Sequence, residues 1–203
     1  MQSAQLGETR RWTRGRALRA AAAGGAAVGG GMLLGRRLDT RAGAAPTAAG
    51  DEEILGFFLQ LEQVQDGLYR AAQRSGHLSG ALQDFVRTVQ PQEAEHVEFL
   101  TSRAGRRARA RPRSDFSDAV RSEETFHRAA IELEELTLAA YIGQGANLTR
   151  ATVADVAKLV SVEARQAAWL RDLAGEDPAP RAADPPQKPD DVLAALRQRS
   201  YIL

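Results

Sequence analysis

The chain has 203 residues, 43% of them hydrophobic, 26% charged and 5% aromatic, with a formal net charge of +1 and no cysteine. This suits one ordinary helical domain with extensions, rich in residues that lose little rotamer freedom in a helix. It excludes disulfides, thiolate metal sites, cysteine nucleophiles and a lipidated cysteine.

The charge is uneven. Residues 1–44 hold eight arginines against Glu8 and Asp39, a net of +6, which leaves the remainder at −5. The basic head carries Arg10-Arg11, then a mildly apolar Ala/Gly-rich run from Ala20 to Gly35, then small residues at 42–44. The pattern resembles a twin-arginine (Tat) export signal, with 1–45 as signal or unstructured N-terminus. The run is shorter than the ~20 residues a membrane span needs. The expected localisation is therefore periplasmic, cell-wall or extracellular.

Four helical stretches follow. Residues 51–74 place apolar residues and one Gln at 54, 58, 61, 65, 68 and 72, the spacing of one helix face. Acidic residues sit at its start and Gly76 at its stop. The second stretch runs from about 79 to 104, with Leu82, Phe85, Val86, Val89, His96, Val97 and Leu100 on one face and a kink expected at Pro91. The third is expected from Ser114 or Asp115 to 146, with Phe116, Val120, His127, Ile131, Glu134, Leu138 and Tyr141 in line. The fourth, about 149–174, carries Val153, Val156, Val160, Glu163, Gln166, Ala167 and Leu170.

These predict an all-α four-helix bundle over 46–175. Short connections make each consecutive pair antiparallel. Ten extended residues near 105–114 reach ~33 Å, enough for a crossover between the pairs. The pairs also repeat. "LEQVQDGLY" (61–69) aligns with "LEELTLAAY" (133–141), and "QEAEHVEFL" (92–100) with "VEARQAAWL" (162–170). The offsets, 72 and 70, point to a duplicated helical hairpin.

The repeat carries carboxylates onto the apolar stripes: Glu62, Glu93, Glu134 and Glu163, one per helix. Carboxylates are almost never buried unpaired, and four facing one interior repel. Divalent cations remove both problems, and the i, i+3 spacing of Glu93 and His96 lets both reach one metal. Glu124-x-x-His127 has the same spacing, but the repeat mate of His127 is Leu55. His127 is read as an interface histidine and His77 as a loop histidine.

Over about 51–174 this arrangement resembles the ferritin-like di-iron and di-manganese bundles, which use a Glu from each of two helices and a Glu-x-x-His from each of the others. It looks closest to exported bacterial ferritin-like domain proteins that follow a Tat-type signal. The resemblance implies metal ligands at Glu62, Glu93, His96, Glu134 and Glu163, iron or manganese as the metal, and Tyr69 and Tyr141 beside the carboxylates. It implies oxygen, peroxide or ferrous-oxidation chemistry. Gln166 stands where a second histidine is expected. An amide oxygen is a poorer ligand than imidazole nitrogen. Three outcomes are open: two metals held unequally, one metal near Glu93 and His96, or a metal-free site with neutralised carboxylates. Whether the chain is an enzyme is therefore open. The alternative is a non-catalytic structural or stress-protective envelope protein on the same fold with an inactive metal site.

Six arginines between 103 and 113 crowd the link. With no interleaved aromatics and an acidic body, they read as a solvated crossover rather than a nucleic-acid surface. The partner expected is a metal ion. Peripheral membrane or envelope association and a homo-oligomer stay open. Residues 176–203 read as a Pro-rich strap followed by a short helix near Asp190, docked through Val192, Leu193, Leu196, Tyr201 and Ile202.

Overall fold

The computed structural model describes residues 45–203, so the Tat-type segment lies outside the described residues. The described chain is helical without strands. Helix α1 spans Ala48–Ser75, α2 Gly80–Ala104, α3 Glu123–Gly145, α4 Arg150–Leu173 and α5 Pro189–Gln198. Thr47 caps α1 by accepting from the Gly50 amide at 3.1 Å. Gly76 ends it at φ 69°, a left-handed position that glycine takes without strain. Helix α2 is continuous through Pro91, which has no amide to return to residue 87.

Long-range contacts fix the helix directions. At one end the Asp51 carboxylate of α1 accepts from the Thr149 amide at the start of α4, at 2.9 Å, and Arg103 at the end of α2 pairs with Asp155 of α4. At the other end Tyr69 of α1 packs on Phe85 of α2 and Phe126 of α3, each at 6.0 Å between ring centroids. Helices α1 and α4 therefore run one way and α2 and α3 the other. Consecutive helices within each pair are antiparallel, and the link between the pairs must cross the full length of the bundle.

That link lies along α1. Gln63 Nε2 donates to the Arg109 carbonyl at 3.1 Å, and Arg111 Nη1 donates to the Gln63 carbonyl at 2.7 Å. Near the far end His77 Nδ1 lies 2.8 Å from the Val120 carbonyl. The cover explains why α1 buries residues outside its predicted stripe, Phe57, Gln63 and Asp66 among them.

The third helix begins later than its spacing suggests. Ser122 caps α3 in a capping box with Thr125, and residues 108–122 are irregular or turns. Phe116 and Val120 are therefore apolar residues of the link. Phe116 packs on Tyr201 at 5.4 Å between centroids. Asp115 accepts from the Ser117 amide at 2.9 Å, a local turn that competes with helix. Val153, expected on the inner stripe of α4, is 38% exposed.

The C-terminal segment docks on the bundle. Val192, Leu196, Tyr201 and Ile202 are buried and Leu193 is half-buried. The Gln187 amide donates to the Ala139 carbonyl of α3 at 2.9 Å, and the Leu203 amide to the Arg113 carbonyl of the link at 2.9 Å.

Candidate metal centre

Each of the four central helices sends one glutamate into the middle of the bundle. Glu62, Glu93, Glu134 and Glu163 are all fully buried, and His96 is 6% exposed. Glu62, Glu93, His96 and Glu163 bring ligand atoms within 4.8 Å of one another. His96 Nδ1 lies 3.0 Å from Glu163 Oε1, 3.2 Å from Glu62 Oε2 and 3.8 Å from Glu93 Oε2. Glu134, the fifth predicted ligand, stands outside this tight group. It is joined to it through Gln65, whose Nε2 donates to Glu134 Oε2 at 2.9 Å and to Glu163 Oε2 at 3.0 Å.

The duplication is visible in the hydrogen bonding. Tyr69 of the first hairpin donates to Glu134 of the second, and Tyr141 of the second donates to Glu62 of the first at 2.5 Å. The tyrosines thus cross-brace the two halves. Their rings are held by aromatic neighbours, Tyr141 against Phe58 at 4.2 Å and Tyr69 against Phe85 and Phe126.

Gln166 is 3% exposed and donates to Gln92 Oε1 at 3.1 Å, across the α2–α4 seam. Arg165 is exposed and does not supply the missing positive charge. Among the described residues His96 is the only basic side chain within ion-pair distance of Glu62, Glu93 and Glu163, and none lies within that distance of Glu134. His127 is half-buried and bonds through Nε2 to the Leu170 carbonyl at 2.8 Å, a contact between α3 and α4 away from the cluster.

Electrostatics follow from this burial. Glu93 is pushed well above the ordinary carboxylate range by burial and then by Glu163, Glu62 and Glu134. Glu134 rises by burial and the neighbouring Glu163, against the Tyr69 hydrogen bond. Glu163 also rises by burial and the Glu62 charge, with His96 opposing. Burial works to lower His96, but hydrogen bonds and charge from Glu163 and Glu62 win and raise it to about 10. Both tyrosines are raised by burial and the adjacent carboxylates.

Both oxygens of Glu93 are buried without a hydrogen-bond donor. Buried oxygens of this kind are costly unless something positive reaches them. The donor set of three convergent carboxylates and an imidazole suits iron, manganese or zinc. The residues present fit a metal ion. Two buried polar groups at this centre escaped sequence reasoning as site residues, Gln65 and its repeat mate Thr137, whose Oγ1 is also unpartnered. Gln65 was legible only as a polar interruption of an apolar stripe.

No curated protein matches the chain. The family model for a ferritin-like domain matches residues 50–176, a span that takes in the four central helices but for the first two residues of α1, and every residue of the cluster. The chain belongs to the ferritin-like domain family.

Proposed function

We propose that the bundle binds iron or manganese at Glu62, Glu93, His96 and Glu163, with Glu134 beside them. We further propose that the Tat-type segment exports the protein to the envelope or beyond. The observation that carries the metal reading is Glu93, with both carboxylate oxygens buried, unpartnered and beside His96. Iron or manganese supplies redox chemistry toward oxygen or peroxide when bound. The chain's own part is to gather the ligands, exclude water from them and fix Glu62 and Glu134 with hydrogen bonds from Tyr141 and Tyr69. The basic N-terminal head supports export. Among the described residues no helix is long and apolar enough to cross a membrane. The link arginines 109 and 111 are folded against α1, which argues against a nucleic-acid surface there.

A second reading, metal bound in a structural or protective protein without catalysis, is favoured by Gln166, whose amide is committed to Gln92. Metal per chain, measured on protein from iron- and manganese-supplemented cells, tests the first reading. Stoichiometric metal that falls sharply in Glu93→Ala is expected. Clearly substoichiometric metal, unchanged by Glu93→Ala, overturns it. Metal-loaded protein that consumes peroxide or oxidises ferrous iron no faster than Glu93→Ala assigns the second reading.

A further inference from the structure

The cluster has two unequal sides. Glu163 spans them: its Oε1 lies 3.0 Å from His96 Nδ1, while its Oε2 accepts from Gln65 Nε2 at 3.0 Å. The same Gln65 amide donates to Glu134 Oε2 at 2.9 Å. Gln65 is fully buried, so water does not compete for these bonds. When Glu134 and Glu163 are ionised, as metal binding requires, the opposite amide orientation would aim Oε1 at two carboxylate oxygens, which repel it. On the His96 side the carboxylate oxygens meet an imidazole and have unpartnered lone pairs. On the Gln65 side the corresponding lone pairs are already directed at two N–H groups.

A metal on the Gln65 side would compete with the Gln65 amide for those two oxygens, with the amide standing between them, and it would lack an imidazole. Gln166, where a nitrogen ligand would be expected from the repeat, is turned to Gln92. We infer that the centre holds a single divalent transition-metal ion on the His96 side, and that the Gln65 amide fills the place of a second. The inference rests on the metal-binding reading above and goes further in fixing the stoichiometry and naming the residue that sets it. It makes Gln65 the principal obstacle to a second ion, ahead of Gln166.

The test is equilibrium loading of the full chain with Mn(II), with metal counted by mass spectrometry and the spin state read by low-temperature electron paramagnetic resonance. The wild type should hold about one Mn(II) per chain with the signal of an isolated ion. Gln166→His alone should still hold about one, because Gln65 continues to occupy the two carboxylates. Gln65→Glu/Gln166→His should hold about two with a spin-coupled signal, since the isosteric acid removes both N–H donors and adds an oxygen ligand. Gln65→Ala/Gln166→His is the second variant should the added charge prevent folding, and the same gain is expected of it. Two ions in the wild type or in Gln166→His overturns the inference while leaving metal binding intact. One ion in both double variants also overturns it. No metal on the wild type overturns the metal reading itself, and this inference with it.

Discussion

Tyr141 donates its hydroxyl to Glu62 Oε1 at 2.5 Å from a fully buried position, and Phe58 packs on its ring. Tyr141→Phe removes the donor and keeps the ring, leaving a buried carboxylate oxygen without a partner. In metal-free protein the expected cost is about 1–3 kcal/mol. Urea unfolding of the two proteins measures it, and equal stability would show that Glu62 finds another donor. The pairing of Tyr141 with Glu62 crosses between hairpins, and it was not legible in the sequence. The repeat shows that the tyrosines are equivalent; it does not say whether each faces its own helix or the other half. Gln65 was harder still. A glutamine on an apolar stripe reads as a tolerated exception until the two carboxylates that it bridges, Glu134 and Glu163, are brought to it from 69 and 98 residues away.

At the scale of elements, α1 organises the molecule. It supplies Glu62, Gln65 and Tyr69 to the interior and carries the link on its outer side, where Arg111 pairs with the buried Asp66 at 2.5 Å. The four helices were legible because each keeps apolar residues at helical spacing. The start of α3 was not, because Phe116 and Val120 happen to continue that spacing on a link that half-buries them against other elements. The start is set chemically: the Ser122–Thr125 capping box begins the helix where the hydrophobic pattern alone does not. The C-terminal strap gives a test of this layer. A Cβ built on Gly143 of α3 would stand 2.1 Å from the Gln187 carbonyl oxygen, a backbone atom that cannot rotate away. Gly143→Ala should lift the strap from α3 and cost about 1–3 kcal/mol. Limited proteolysis within 176–188 should accelerate clearly, and unchanged cleavage would show that the strap does not depend on this contact.

For the molecule as a whole, the buried charge sets a balance between protons and metal. Glu93, Glu134 and Glu163 are raised above their ordinary values by burial and by one another. A raised carboxylate contributes stability that is complete below its unfolded value of about 4.3 and lost as pH rises through the folded one. His96, raised to about 10, has the same sign, its contribution complete below about 6.5 and lost toward the raised value. Metal-free protein should therefore weaken as pH climbs above the carboxylate range. A bound cation takes the place of the protons and should oppose that decline. The most direct measurement is urea unfolding of wild type and Glu93→Ala between about pH 5 and 8, with and without Mn(II). The wild type should lose stability with rising pH when metal-free. At pH 7 it should gain about 2.7 kcal/mol at a free metal concentration one hundred times Kd, and Glu93→Ala should gain much less. Equal metal-induced gains in the two proteins, or no gain in the wild type, would contradict a metal centre built around Glu93.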